Sequence, residues 1–137
     1  MPGVTPTCLA LVLCDRVGRV SHSGRASLIG IFDAMTSRVF PMTTKPFSAW
    51  MQFNQGNGLV RMELVIERRL PDVLVCEAIV AVPFTLHCSD PNEVMEHVID
   101  FSNGIGLPCT GAYQARLMAG DVTIMTRPFV AVAGAGE

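Results

Sequence analysis

Apolar and polar positions alternate with a period of two through the clearest parts of this chain. Phe47, Ala49, Met51 and Phe53 alternate with Ser48, Trp50, Gln52 and Asn54; Val60, Met62, Leu64 and Ile66 alternate with Arg61, Glu63 and Glu67. Successive side chains of a strand point to opposite faces, so this period marks two half-buried antiparallel strands. Gln55-Gly56-Asn57-Gly58 joins them, and Asn-Gly tolerates the positive φ that a tight hairpin needs. Cys8 to Cys14 is apolar on both faces and predicts a strand in the middle of a sheet or beneath an interface. Arg16 to Arg25 is polar, holds Gly18 and Gly24, and reads as a loop or wide hairpin. Ala26 to Asp33 predicts a second strand and Met35 to Phe40 either its continuation after a bend or a short third strand, before a connection over Pro41 to Lys45 closed by Pro46. Arg68 to Asp72 predicts a turn and Val73 to Val82 a further strand. Tyr113, Ala115 and Leu117 alternate, Gly120-Asp121 turns, and Val122 to Val132 returns, with Pro128 marking a sheet edge or a bulge. The tail from Ala133 to Glu137 is small and expected to be loose.

Ser89 to Phe101 carries two patterns. Asp90-Pro91-Asn92-Glu93 has the cap, the early proline and the acid of a helix start, and Val94, Met95, Val98 and Ile99 follow at helical spacing. The same stretch puts Met95, Ile99 and Phe101 on one face of a strand. Eight or nine strands with hairpin-length links predict an all-β protein: a single antiparallel two-layer β-sandwich over residues 1–137, Ig-like or related, with room for one short helix near 90–100.

Composition sharpens this picture. Hydrophobic residues make up 50% of the 137 and charged residues 16%, against roughly 25% charged in an average protein. A lone small domain needs more polar surface than that, so a partner is expected to cover part of it, either a copy of the chain or another protein. Lys45 is the only lysine, the arginines are scattered and the net charge is −2, which argues against nucleic acid. No uncharged apolar run reaches the ~18 residues of a membrane span. The start has no positively charged region, so the expectation is a cytoplasmic protein. The odd set of five cysteines, Cys8, Cys14, Cys76, Cys88 and Cys109, reads as free thiols in a reducing compartment.

Candidate chemistry is sparse. Asp15 and Asp33 each end an apolar run. As ends of an antiparallel hairpin they would lie roughly 20 Å apart, too far for carboxylates that share a proton near 3 Å; each is then a strand end bonding a turn backbone. His87, Cys88, His97 and Cys109 include metal-ligand types, but no two cysteines have the close spacing of a zinc site, and neighbours such as His87 and Cys88 point to opposite faces. A thiol nucleophile would need a histidine held beside it. No cofactor, metal or catalytic set is therefore expected. Ser21-His22-Ser23-Gly24 reads as a solvated hairpin tip. Trp50 falls on the polar face of its strand, where it is either an interface anchor with Gln52 beside it or is covered by another part of the chain. Phe129, in the last strand, joins Trp50 and Gln52 as a candidate contact. Tyr113, just after Gly111, resembles the tyrosine corner of Ig-like sandwiches.

The runs Ala10-Leu11-Val12-Leu13-Cys14-Asp15 and Ser27-Leu28-Ile29-Gly30-Ile31-Phe32-Asp33, with Gly111-Ala112-Tyr113 and the ending Arg127-Pro128-Phe129-Val130 through Val132, are similar to an uncharacterised bacterial family of small all-β proteins. The resemblance covers about Leu9 to Val132. It implies an Ig-like or related sandwich, no assigned activity, and a strand where Met95 to Phe101 looks helical. Three functions remain open. The first is a non-enzymatic module acting through protein–protein association, as an accessory or structural subunit or as a homo-oligomer. The second is a small-molecule or carbohydrate-binding module with its site at the loops around Gly56 or Gly104. The third is a thiol- or metal-dependent enzyme using Cys88, His87, His97 or Cys109.

Overall fold

The period-two runs form strands, and the strands form two packed sheets. The structure, a computed structural model, describes residues 3–70 and 76–134. Its strands are β1 (Thr7–Arg19), β2 (Ala26–Ile31), β3 (Ala34–Ser37), β4 (Met42–Thr43), β5 (Phe47–Asn54), β6 (Gly58–Arg69), β7 (Cys76–Cys88), β8 (Met95–Phe101), β9 (Gly106–Leu107), β10 (Gly111–Ala119) and β11 (Val122–Ala133). The first sheet has the order β2-β1-β5-β8, the second β3-β11-β10-β6-β7, and β4 pairs with β9 in a small clamp. Leu11 and Leu13 of β1, Met51 and Phe53 of β5, and Ile99 and Phe101 of β8 point inward from the first sheet. Met62, Leu64 and Ile66 of β6, Tyr113 and Leu117 of β10, and Phe129 of β11 meet them from the second. This is the two-layer sandwich that the alternation predicts. In the second sheet β11-β10-β6-β7 reproduces the G-F-C-C′ order of Ig variable domains, and β5-β8 the B-E pair of the facing sheet. The described pairings are antiparallel except β3 with β11, which is parallel from Val130↔Ala34 to Ala133↔Ser37.

The tyrosine corner forms as Gly111-Ala112-Tyr113 implies. The buried Tyr113 hydroxyl donates to the Cys109 carbonyl at 2.6 Å, tying the loop before β10 to the sheet. Pro128 sits where β11 has no neighbour on one side, because β3 pairs only from Val130 onward.

The stretch with two patterns is decided for the strand that the family resemblance implies, and two other local expectations are corrected. No described residue near 90–100 is helical: Asp90 Oδ1 accepts from the Asn92 N–H at 2.9 Å in a local turn, and Met95 to Phe101 pairs residue by residue with Phe53 to Phe47. Tertiary pairing, which buries Ile99 and Phe101, overrides the helical spacing. At the β5–β6 turn the positive φ values belong to Gln55 (63°) and Gly58 (76°), not to Asn57, whose backbone pairs instead with Val4. Finally, β1 does not stop at Cys14. It runs on to Arg19, and only Val20 to Arg25 forms the hairpin turn. The start of the strand expected from Val73, the last two residues of the turn before it, and the last residues of the tail lie outside the described residues.

Candidate functional site

The extension of β1 changes the geometry of both aspartates. Register pairs Cys14 with Ile31, and Phe32 N–H donates to the Leu13 carbonyl at 3.0 Å, so Asp15 stands opposite Gly30 in mid-hairpin. Asp15 and Asp33 are therefore not at opposite ends: a three-residue offset places them roughly 10 Å apart along the strand. Asp15 is not a strand end either. A Cβ on Gly30, whose φ is +71°, would sit 2.2 Å from Asp15 Oδ2, so the glycine is what lets this carboxylate lie flush against β2. Asp33 lies at the crossing from the first sheet to the second, where its carbonyl accepts from Val130 N–H at 3.0 Å.

Beside Asp15 is a cleft of about 220 Å³ at one end of the sandwich. Phe32, Met35 and Met42 give it apolar walls and Phe47 a floor. Asp15 and Lys45 stand on it as its charged groups. The floor is rigid: Phe47 is stacked on Phe101 with centroids 4.7 Å apart and meets Phe32 edge-on at 5.7 Å. The Thr44 wall is clamped by Ile105, through backbone N–H to carbonyl at 2.9 Å and through Thr44 Oγ1, which accepts from Ile105 N–H at 3.0 Å. Gly104, at φ +67°, admits the Thr44 carbonyl where a Cβ would come within 2.1 Å. The loop around Gly104 is thus filled by Thr44. The loop around Gly56 is filled in the same way: a Cβ there would meet Cys88 Sγ at 2.6 Å.

Trp50 is half-buried, and its own chain accounts for the cover. Ala10, Gln52 and Glu96 share one row of the first sheet, on its outward face. A straight β1 would carry Arg19 roughly 30 Å beyond that row at ~3.3 Å per residue. Yet Arg19 Nη1 is 2.7 Å from Glu96 Oε1, which also accepts the Trp50 indole N–H at 2.9 Å. The β1–β2 hairpin therefore bends and folds back over the outward face of its own sheet. Consistently, Cys14 and Ser48 point outward yet are 0% and 4% exposed, and Ser48 Oγ donates to Asp100. Gln52 is half-buried beside them. Phe129, considered as a contact residue, points inward instead: it is 2% exposed and stacked on Tyr113 at 5.5 Å, because its parity on β11 places it in the core.

The thiols and imidazoles do not converge. Cys88 and Cys109 lie near opposite ends of the second sheet, since Cys88 closes β7 while Tyr113, which holds Cys109, is level with Glu77. Residues 77 to 88 span roughly 35 Å as a strand. His87 is exposed and Cys88 buried, a rim histidine beside a core thiol. His97 stacks face to face on Phe84 at 4.2 Å and joins the β8 edge of one sheet to the β7 edge of the other; burial holds its pKa below the usual histidine value. Burial raises the thiols of Cys8, Cys14 and Cys88. Among the described residues no group of three His, Cys, Asp or Glu side chains is placed to hold a metal ion.

Sequence reasoning missed the outward face of the second sheet. Glu67 lies there and is 2% exposed, although its strand faces outward at that position. Arg116 reaches across from β10 and donates Nε to Oε2 at 3.0 Å and Nη2 to Oε1 at 2.9 Å; Gln114 Nε2 adds a further bond to Oε2. Burial pushes the Glu67 carboxyl up, but the hydrogen bonds from Arg116 and Gln114 and the charge of Arg116 outweigh it and hold the pKa below the usual carboxylate value. Around this neutralised pair the face carries Ala34, Ala112, Pro128, Ala78 and Ala81, with Val130 and Val132 exposed at 42% and 40%. Arg69 stands at its rim.

The strand order and pairing define a small Ig-like β-sandwich. Residues 9–132 match a family of unknown function, DUF6941, and the chain belongs to that family. No curated protein matches the chain. Among solved structures, a β-D-glucoside glucohydrolase from Trichoderma reesei shares 10% identity at a TM-score of 0.49, over 94% of this chain and 19% of that one. A β-glucosidase from Listeria innocua, solved with gluconolactone, shares 6% at 0.46, over 93% and 16%. The chain thus spans under a fifth of those enzymes' length. No helix among the described residues is long and apolar enough to cross a membrane.

Proposed function

We propose that the protein is a non-enzymatic association module, and that a second protein chain, foremost a second copy of this one, docks on the outward face of the second sheet. The observation that carries this reading is the pairing of exposed Val130 and Val132 with a face whose central charges, Glu67 and Arg116, already neutralise each other. The patch around Val130, Val132 and the mutually paired Glu67 and Arg116 opposes its own copy with little like-charge repulsion, Arg61 and Glu63 lying further along β6. Small side chains at Ala34, Ala112, Ala78 and Ala81 keep it flat enough for close approach. The low share of charged residues, 16%, supports the same reading. The Trp50 face supports it less well, because the protein's own hairpin lies across it.

Sedimentation equilibrium tests this. The wild-type protein is expected to self-associate with rising concentration. Substituting Val130→Asp and Val132→Asp together is expected to leave a folded monomer with an unchanged far-UV circular dichroism spectrum, since both side chains face outward, and with a melting temperature that no longer depends on protein concentration. A wild-type protein that stays monomeric across the whole concentration range overturns the self-docking reading.

A further inference from the structure

The cleft between Asp15 and Lys45 adjoins that face at Ala34 but has its own chemistry. Its two charged groups are of opposite sign, and among the described residues neither enters an ion pair with the other or with any other side chain. A phosphate drawn to Lys45 would meet the Asp15 carboxylate, and a metal cation drawn to Asp15 would meet the Lys45 ammonium. A ligand that carries one charge of each sign satisfies both. The remaining lining is mostly apolar, from Phe32, Ala34, Met35, Met42, Pro46 and Phe47, with Thr36 and Thr44 as its neutral polar side chains. At about 220 Å³ the cleft is smaller than the roughly 300–1,000 Å³ of drug-sized sites, so its ligand is small.

The walls are also built rather than incidental. Two glycines in left-handed backbone, Gly30 and Gly104, each make room for a wall: Gly30 for the Asp15 carboxylate, Gly104 for the Thr44 carbonyl. The Phe32–Phe47–Phe101 stack fixes the floor. The carboxylate is thereby held against β2 and the lysine backbone is held between clamped Thr44 and Pro46, so the pocket is formed before a ligand arrives.

We propose that this cleft binds a free α-amino acid with an apolar side chain, its ammonium on Asp15, its carboxylate on Lys45 and its side chain against Phe32, Met35 and Met42. Isothermal titration of the full-length protein with L-leucine, L-methionine and L-phenylalanine tests it, beside two leucine analogues that each lack one charge, 4-methylpentanoate and 3-methylbutylamine. Saturable binding is expected for at least one amino acid. Each analogue is expected to bind about fivefold more weakly than leucine, the order that one lost, partly exposed ion pair gives. Asp15→Asn is expected to abolish the preference for leucine over 4-methylpentanoate, and Lys45→Met the preference over 3-methylbutylamine. Both side chains are exposed, so the variants should melt with the wild type. No heat from any of the three amino acids at millimolar concentration overturns the proposal, as does equal affinity in the wild type and both variants. Neither result bears on self-association, which is read by sedimentation.

Discussion

At the scale of single residues, the fold turns on a few side chains whose partners come from distant strands. Gly30 combines a φ of +71° with the pressure of Asp15, so Gly30→Ala is expected to cost about 2 kcal/mol in a urea unfolding curve, the order of one strained backbone position. Adding Asp15→Ala should restore part of that loss by removing the clash while leaving the backbone strain. Tyr113→Phe removes the hydroxyl bond to the Cys109 carbonyl and should cost about 1 kcal/mol in the same measurement. These two positions differ in how far the sequence exposes them. Tyr113 is legible because Gly-Ala-Tyr before an alternating run is a local pattern. Gly30 sits inside an apolar run, and nothing near it shows that a carboxylate from the preceding strand must pass there. The cleft is hidden for the same reason: Asp15, Met35 and Lys45 share no local pattern and meet only through the β1–β2 register and the β4–β9 clamp.

At the scale of elements, alternation was sufficient where one face of a strand is buried and the other wet. β5 spans Phe47 to Asn54 as its alternation predicts, and the hairpin to β6 follows. It left β8 open between helix and strand, a choice made by pairing with β5, and it failed for the far half of β1, where polar residues look like a loop but continue a strand. That far half makes the hairpin that folds back over Trp50, held by an Arg19–Glu96 pair in which both side chains are partly exposed. Such a pair is worth little to global stability, about 0–1 kcal/mol, so its loss should show locally. Glu96→Ala is expected to leave the melting temperature nearly unchanged, to speed tryptic cleavage after Arg19 and Arg25, and to shift Trp50 emission to the red as the indole loses its acceptor. An unchanged cleavage rate with unchanged emission would show that other contacts hold the arm down.

At the scale of the whole molecule, the titrating groups set a pH window. His97 and Glu67 both have lowered pKa values in the folded protein. The unfolded chain then binds more protons as pH falls, so stability drops first below about 6.5, where an unfolded histidine titrates, and further below about 4.5, where an unfolded glutamate does. The buried thiols of Cys8, Cys14 and Cys88 are raised, so the unfolded chain loses protons first on the alkaline side and stability falls as pH rises past about 9. Melting temperature against pH should therefore show a plateau between about 6.5 and 9, and His97→Gln should remove the shallow fall just below it. The sandwich class was legible from strand count and link length, whereas the parallel β3–β11 pair was not, because it joins segments almost a hundred residues apart and leaves no mark in either one. That pair has a consequence for biosynthesis. The chain leaves the first sheet after β2 and waits, as β3, for a neighbour that the ribosome makes almost a hundred residues later. A nascent chain therefore carries an unpaired edge while β4 to β10 are made, and closure of the second sheet is a slow, long-range step that follows synthesis of β11.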